Sequence, residues 1–323
     1  MKKYMKDQFK LKKDPKAWYK LPVAERNRLN NEVLDEKLMT WKKLAIRSAK
    51  KPLPGLAGFH VVFFHIPKTG GTTLDYVVAK NYRIDVVYQV NAPAFDQHVA
   101  GVYKNGHMFR TLMGHYELND YYHQLFERRF VAQFTMLREP VSRIISYYDY
   151  LRTSENHPKH DLAKDMTLEE FIEHPDIDEM PNAQTHRIMG TLKQNEWRTN
   201  PIADDQLLAD VKHQLEHRFS LFGLTEMYDQ FLIMAQQTMG WQDIFYRRMN
   251  ESKVKTDKST IPESTIERIK ALNAVDMGLY AFAKDLFNER MKTLNISAEM
   301  VQTFKQKNQA YSELLNWHEP FKA

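Results

Sequence analysis

The feature that most constrains this chain is a strand-like run that leads into a loop of glycines and threonines. Residues 61–74 read Val-Val-Phe-Phe-His-Ile-Pro-Lys-Thr-Gly-Gly-Thr-Thr-Leu, and a helical pattern begins just beyond the loop. Glycine lets backbone N–H groups approach an oxyanion closely, and a helix N-terminus adds aligned donors and partial positive charge. Lys68 adds a full charge, and the threonine hydroxyls add further donors. The segment therefore predicts a cradle for a phosphate or sulfate group, against the alternative of an ordinary strand-to-helix turn.

The order of residues in this loop differs from that of the P-loop found in nucleotide hydrolases. That motif, G-x-x-x-x-G-K-[ST], has its lysine after the last glycine. Here Lys68 precedes Gly70, which places the ammonium at the entrance of the loop. The inverted order disfavours an ATP-using kinase.

A second strand, loop and helix follow at residues 134–148. Arg138 stands at the predicted strand end, where its guanidinium could bind an anion through two hydrogen bonds, and Pro140 suits the first helical position. Ser146 lies about two turns into the helix and could add a hydroxyl. Taken alone, an arginine such as Arg138 is more often a structural ion-pair partner, here of Glu139. Ligands of open α/β sheets gather at the carboxyl edge of the strands, so two such loops favour the anion-binding interpretation.

Short apolar runs alternate with helical stretches from residue 59 onward. Residues 59–66 and 130–137 are predicted to be buried strands, and residues 219–224 are a candidate for one more strand. Helical spacing dominates after about residue 165, and helices are predicted over residues 204–217, 226–239 and 273–294. Helix ends are predicted at Gly190, Gly223 and Gly240. We predict an α/β fold, a P-loop-like parallel sheet flanked by helices, with a helix-rich C-terminal half and an N-terminal basic helical arm.

The positive charge of the chain is concentrated at its N-terminus. The net charge is +5, yet residues 1–51 contain 16 basic and 6 acidic residues and so account for +10. The remaining body is mildly acidic, which gives no support to nucleic-acid binding by the main domain. We predict a basic helical arm and linker over residues 1–57 and an α/β domain over residues 58–323.

The arm shows helical spacing in its apolar residues Leu34, Leu38, Trp41 and Ala45. Such a helix could touch anionic lipid or a polyanionic substrate, or it could pack against its own domain, which is the interpretation that we favour.

Composition excludes several classes of protein. A chain of 323 residues with 43% apolar and 27% charged residues can bury a core, so it is neither wholly disordered nor fibrous. It contains no cysteine, which removes disulfides, thiolate metal sites and a cysteine nucleophile. No apolar run reaches the roughly 18 residues that a transmembrane helix needs, and the N-terminus lacks the apolar region of a secretory signal. We expect a soluble, cytoplasmic protein, and the sequence does not indicate its oligomeric state.

One motif suggests a different chemistry. His213, Glu216 and His217 match the H-x-x-E-H pattern of inverted zinc peptidases, with Glu226 as the nearest third ligand. The pattern is short, and the segment also fits an amphipathic surface helix. A zinc-dependent peptidase therefore stays as an alternative, as does a non-enzymatic module that binds nucleotides or polyanions.

The two loops together resemble the cofactor motifs of a known family. Residues 65–73 are similar to the 5′-phosphosulfate loop, and residues 137–143 with Ser146 to the 3′-phosphate motif, of carbohydrate sulfotransferases that use 3′-phosphoadenosine 5′-phosphosulfate (PAPS). The resemblance points to the branch that contains the heparan sulfate 2-O- and 6-O-sulfotransferases. Weaker similarity continues through residues 182–185, 222–226 and 276–280.

This resemblance implies a reaction and a set of site residues. PAPS would donate a sulfuryl group to a hydroxyl of a carbohydrate or polysaccharide acceptor, with adenosine 3′,5′-bisphosphate (PAP) as product and no metal required. An acidic polysaccharide is one acceptor that the basic arm could steer. Residues implied for the 5′-phosphosulfate are Lys68, Thr69, Gly70, Gly71, Thr72 and Thr73. Arg138 and Ser146 are implied for the 3′-phosphate, and His115 and Lys68 for catalysis.

The case for His115 from the residues alone is modest. An imidazole with an ordinary pKa near 6.5 suits proton abstraction, but the chain has 13 histidines. His115 follows Gly114 on a predicted strand between the two motifs, where the resemblance places the base.

The sequence departs from the family pattern in two ways. Met113 stands where the 2-O branch has a second histidine, so a shared role of two histidines is not expected. Eukaryotic relatives also have an N-terminal membrane anchor where this chain has its basic arm, so we expect a bacterial-type soluble enzyme.

Overall fold

A five-stranded parallel sheet forms the centre of the protein. The computed structural model describes residues 25, 28, 38–50, 59–82, 87–90, 111–115, 130–177, 179–190, 202–249 and 256–318. The strands are β1 Phe59–Phe64, β2 Val87–Val90, β3 Thr111–Gly114, β4 Phe130–Leu137 and β5 Leu221–Leu224, in the spatial order β2-β3-β1-β4-β5. All neighbouring strands are parallel, which confirms the predicted sheet class.

Helices surround the sheet and dominate the second half of the described chain. They are α1 Trp41–Lys50, α2 Gly71–Asn81, α3 Pro140–Thr153, α4 His160–Ala163, α5 Leu168–Glu173, α6 Ala183–Met189, α7 Asp204–Arg218, α8 Tyr228–Met239, α9 Glu263–Leu272, α10 Ala274–Thr293 and α11 Ala298–His318. Gly190 and Gly240 end helices as predicted. Gly223 lies inside β5 instead, at a position where a Cβ would come within 2.5 Å of the Met136 sulfur and 2.6 Å of the Phe231 ring.

The strand order creates a switch point between β1 and β4. The chain leaves β1 toward β2 on one side of the sheet and later crosses from β3 to β4 on the other side. In the register of the sheet, Phe64 of β1 lies between Gly114 of β3 and Thr135 of β4. The loops that follow these three strands therefore open at one edge, where parallel sheets bind their ligands.

Strands β1, β3, β4 and β5 are buried on both faces over the residues whose burial the structure describes, as strands of a parallel sheet covered by helices should be. Val61, Val62, Phe63 and Phe64 of β1 have no exposed surface. A smaller apolar cluster lies between α3 and its neighbours α5 and α9, around Phe171. Apolar packing thus fixes the positions of β1 and α3 next to the sheet edge where the three loops open.

The described end of the N-terminal arm packs against the main domain. Leu38, which the spacing assigned to a helix, pairs instead with Val131, and the Met39 N–H donates to the Val131 carbonyl at 2.9 Å. The helix begins only at Trp41, and its Leu44 is fully buried in the main core. Leu34 and most of the basic residues of the arm lie outside the described residues. The boundary after residue 57 stays a prediction.

Candidate active site

The loop after β1 brings open backbone N–H groups to the ligand edge. Gly70 precedes α2 in the left-handed conformation, with φ 82°, which a residue without a Cβ adopts at little cost. A Cβ at Gly71 would lie inside the imidazole of His65, so only glycine permits this approach. The first turn of α2 therefore begins at the ligand edge of the sheet, and the N–H groups that a helix leaves without intrahelical partners at its start can bind an oxyanion.

The three predicted threonines take different positions. The Thr69 side chain is buried and donates its hydroxyl to the Ile66 carbonyl at 2.8 Å, so it shapes the loop. The Thr73 hydroxyl accepts the Met249 N–H at 3.0 Å and keeps its own proton for an anion. Thr72 is exposed at the mouth of the loop.

The loop after β4 is held by its backbone. Gln184 brackets Arg138, accepting its N–H at 3.0 Å and donating to its carbonyl at 3.0 Å. The Arg138 guanidinium donates to the Lys68 carbonyl at 3.1 Å, which ties the two loops together. The Glu139 carboxylate accepts the N–H groups of Val141 and Ser142 and caps α3, with Pro140 in the first helical position.

The three segments of weaker family similarity meet beneath this loop. The buried carboxylate of Asp276 accepts the N–H groups of Gln184 and Thr185. Glu226 accepts the Glu139 N–H at 3.1 Å and the Tyr280 hydroxyl at 2.7 Å. These segments thus support the strand end that carries Arg138.

Two adjoining cavities of about 410 and 650 Å³ open at this edge, and we call them together the cleft. Residues common to both walls are Gly70, Thr73, Arg138, Ser146 and Met249. Lys68, Gly71, Thr72 and His115 line the larger cavity. The structure therefore brings together the predicted site residues except Thr69, whose side chain lines neither cavity.

His115 follows β3 directly, beside the residue that follows β1. Its Nδ1 lies 2.9 Å from the His65 carbonyl oxygen, which can only accept. Nδ1 must therefore hold the proton, and Nε2 keeps a free lone pair. Burial and then the neighbouring His65 lower the pKa of His115 to about 3, so the ring is neutral near pH 7.

His65 itself was not among the predicted site residues. Its ring centroid lies 4.1 Å from that of His115, and its Nδ1 lies 3.3 Å from an Asp75 carboxylate oxygen. The sequence gives no sign of this contact, because it depends on β1 and β3 being neighbours.

Lys68 stands at the entrance of the loop in a left-handed backbone conformation, with φ 67°. Its Nζ lies 4.1 Å from the centre of the Tyr150 ring on α3. Burial, followed by the positive charge of Arg138, lowers the pKa of Lys68 to about 8. The ammonium is therefore charged at neutral pH and only partly hydrated.

Arg143, the second arginine of the loop motif, faces away from the cleft. It is 1% exposed and pairs with Glu179, which also pairs with Arg187. Burial alone would raise the pKa of Glu179, but the two arginines lower it to about 2. This carboxylate is therefore charged and holds α3 against α6.

The predicted zinc motif lies on α7 and outside the cleft. Glu216 and His217 have side chains that are 45% and 54% exposed, and neither they nor His213 line either cavity. Across the part of the chain that the structure describes, no three His, Asp or Glu side chains are grouped as a metal site would require.

Sequence comparisons point to the same family as the motifs. A profile of the galactose-3-O-sulfotransferase family matches residues 44–314. Galactose-3-O-sulfotransferase 3 of Mus musculus is 26% identical over 152 residues, which cover 45% of this chain and 35% of the relative. Heparan-sulfate 6-O-sulfotransferase 3-B of Danio rerio is 25% identical over 280 residues, covering 71% and 64%. Heparan-sulfate 6-O-sulfotransferase 1 of Homo sapiens is 25% identical, covering 71% and 66%. The chain thus spans about a third of the first relative and about two thirds of the others.

One expectation from the sequence is wrong. The relatives are vertebrate galactose-3-O- and heparan-sulfate 6-O-sulfotransferases, which are enzymes of the Golgi lumen, and this overturns the expectation of a cytoplasmic, bacterial-type enzyme. Among the described helices, none combines the length and the apolar composition needed to cross a membrane.

The family assignment and the geometry agree on the kind of ligand. Membership of this family implies that the sulfuryl donor is PAPS and that the acceptor is a carbohydrate. The profile match covers well over half of the 323 residues and includes His115 and the loops after β1 and β4. The chain therefore belongs to the galactose-3-O-sulfotransferase family of carbohydrate sulfotransferases.

Proposed function

We propose that this protein transfers a sulfuryl group from PAPS to a hydroxyl of a carbohydrate. The observation that supports it most is that Lys68 and His115 line one cavity, which continues past Arg138 and Ser146. A donor with anionic groups at both ends would meet cationic and hydroxyl groups at two strand ends. The single cleft therefore suits both halves of PAPS and an acceptor beside its sulfate.

Different residues of the cleft bind the two anionic ends of the donor. The N–H groups at the start of α2, with Lys68 and the Thr72 and Thr73 hydroxyls, hold the 5′-phosphosulfate. Arg138 and Ser146 hold the 3′-phosphate. Thr69 contributes through its backbone, since its hydroxyl is used within the loop.

The chemistry asks the protein for alignment and charge stabilisation. PAPS supplies a sulfuryl group that passes to the acceptor oxygen, while PAP leaves with the electron pair of the broken sulfur–oxygen bond. His115 takes the acceptor's proton on Nε2, the nitrogen that its hydrogen bond to His65 leaves free. Lys68 stabilises the negative charge that develops on the leaving oxygen.

Transfer of labelled sulfate is the direct test. The protein is incubated with ³⁵S-labelled PAPS and a panel of galactosides, desulfated heparan chains, lipids and small alcohols, and the labelled products are separated. Wild type should label a carbohydrate, and Lys68→Ala should lower turnover at least about 100-fold, because one preorganised donor is lost.

A second cleft variant and a control variant make this result specific. His115→Gln should also lower the rate of sulfate transfer strongly. His160→Gln should not, although the His160 ring has a similar hydrogen bond to the Leu151 carbonyl, because it lies outside the cleft. Binding of PAP without transfer to any acceptor would instead support a non-enzymatic module, and loss of activity with EDTA would support a metal enzyme.

The relatives suggest which acceptors to try first. Their names specify the 3-hydroxyl of galactose and the 6-hydroxyl in heparan sulfate. We therefore propose a pyranose hydroxyl as the acceptor group, and the position of the label within the product decides between the two.

A further inference from the structure

Tyr150 lies where it can control the ammonium of Lys68. It is on α3, one helical turn after Ser146, and it lines the larger cavity of the cleft. The face of its ring lies under the Lys68 Nζ at 4.1 Å. The same ring makes a T-shaped contact with the His157 ring, with centroids 5.4 Å apart and planes at 76°. The Tyr150 ring thus contacts a second aromatic side chain besides the lysine.

The charged groups around Lys68 act on its charge from a distance, and within the described residues no hydrogen bond or ion pair joins any of them to its Nζ. Arg138 and Arg143 are cations that oppose its charge, and Asp149 is the carboxylate that favours it. The two oxygens of Asp149 already accept the N–H and the hydroxyl of Thr256 at 3.0 and 2.5 Å. Within the described residues, the Tyr150 ring is the group that Nζ contacts at close range, and it attracts a cation through its negative face.

We propose that Tyr150 is a positioning residue for Lys68, holding the protonated ammonium at the wall of the cleft until the donor's anionic groups replace the ring as its partner. This inference rests on the role of Lys68 in the proposed function. It assigns the effect to the ring face and not to the phenolic hydroxyl. Phenylalanine at position 150 should therefore preserve the effect of the ring on Lys68, whereas an aliphatic residue should not.

Removing the ring face should make Lys68 easier to deprotonate. The attraction between a cation and a ring favours the charged form of the lysine, and it is stronger when both are partly buried. Losing it should lower the pKa of Lys68 by about 0.5 to 1 unit, the equivalent of a cation–π contact. The lysine would then lose its charge at a pH closer to neutral.

The variants Tyr150→Phe and Tyr150→Leu form a matched pair. In the donor-free protein, lysines are dimethylated with ¹³C-formaldehyde and titrated by NMR, and the Lys68 signal is assigned by its loss in Lys68→Arg. Wild type and Tyr150→Phe should titrate together, and Tyr150→Leu should titrate lower by about 0.5 to 1 unit. This measurement does not require activity, so it tests the contact even if no acceptor is found.

The pH dependence of sulfate transfer is the second measurement. Tyr150→Leu should lower kcat/KM for PAPS about 5-fold at pH 8.5 but less than about 2-fold at pH 6.5, where Lys68 stays protonated in both proteins. A purely structural defect would lower both values equally. Thermal unfolding checks the fold, and Tyr150→Met, which also lacks a ring face, replaces the leucine variant if that one unfolds and should show the same lowered titration and the same loss at pH 8.5.

Either of two results would overturn the proposal. One is a Lys68 titration that is unchanged in Tyr150→Leu, and the other is equal impairment of the phenylalanine and leucine variants. An absence of sulfate transfer in wild type, with the titrations as expected, would reject the proposed function and leave the ring contact standing.

Discussion

Single residues at the start of α2 are restricted by what surrounds them. His65 is buried between the Phe63 ring, stacked at 5.4 Å, and the His115 ring at 4.1 Å. The backbone of Gly71 closes a further side of the same imidazole. The ring has no room to move, so position 71 tolerates no side chain.

Substitution of Gly71 by alanine should therefore damage both stability and donor binding. The new methyl group must displace His65, and overpacking of this kind typically costs about 1–3 kcal/mol. PAP should bind at least about 10-fold more weakly, because the loop N–H groups move with the backbone. Urea unfolding and calorimetric titration measure the two effects. Thr72→Ala, at an exposed neighbouring position, should leave the free energy of unfolding nearly unchanged; equal effects at both positions would contradict the steric explanation.

The pH dependence of kcat/KM should show an alkaline limb without an acid limb from His115. Lys68 must be charged to bind the donor, and its pKa of about 8 means that this charge is lost as the pH rises through that value. His115 must be neutral, and its pKa of about 3 means that it stays neutral down to mildly acidic pH. We expect kcat/KM for PAPS to be constant within about 2-fold from about pH 5.5 to 7 and to fall above about pH 8. A fall in kcat/KM below about pH 6.5 that persists when each of the other histidines is replaced in turn would contradict this assignment.

At the scale of elements, α3 connects the cleft to a buried ion-pair network. One of its faces presents Ser146 and Tyr150 to the cleft. Another presents Arg143 to Glu179, which also holds Arg187 of α6. The position of the cleft residues on α3 thus depends on a carboxylate that lines neither cavity of the cleft.

Replacing Glu179 by alanine should destabilise the protein strongly. It would leave Arg143 and Arg187 buried without their carboxylate, and breaking a buried pair on one side typically costs about 3–5 kcal/mol. Glu173→Ala removes a carboxylate from the exposed pair with Arg268 and should have little effect. Urea unfolding of both variants provides the comparison, and similar values for the two would show that the buried network does not stabilise the fold.

The strand–loop–helix units were predictable from the sequence because their signals are local. The apolar run, the glycines and Pro140 predicted β1, β4 and the starts of α2 and α3 with small errors in their ends. Leu38 was assigned to a helix because its spacing fits one, but pairing with Val131 determines its actual conformation. Periodicity within a segment does not contain information about such a distant partner.

At the scale of the whole molecule, the order of the strands places the candidate site. The residues after β1, β3 and β4 meet only because β1 lies between the other two strands. Motifs predicted most of the residues that line the cleft, whereas the His65–His115 and Tyr150–Lys68 contacts required the fold. The comparisons were needed to correct the expected cellular location, which neither composition nor charge determines.

Binding of PAP should stabilise the whole protein more than binding of ATP at the same concentration. PAP has a 3′-phosphate for Arg138 and Ser146, which ATP lacks. At 100 times its dissociation constant a ligand adds about 2.7 kcal/mol, which corresponds to a melting shift of about 4 °C for a protein of this size. Differential scanning fluorimetry measures the shift. Arg138→Ala should remove the preference for PAP over ATP, and an equal response to both nucleotides in wild type would argue against a 3′-phosphate site.

The backbone of Lys68 has a consequence for the evolution of this loop. Its φ of 67° is a conformation that suits glycine, yet the position holds a lysine whose charge faces the cleft. Selection for a more stable fold and selection for faster turnover should therefore prefer different amino acids there. A library screened for thermal resistance alone would be expected to discard the lysine, so directed improvement of this enzyme must select for both properties together.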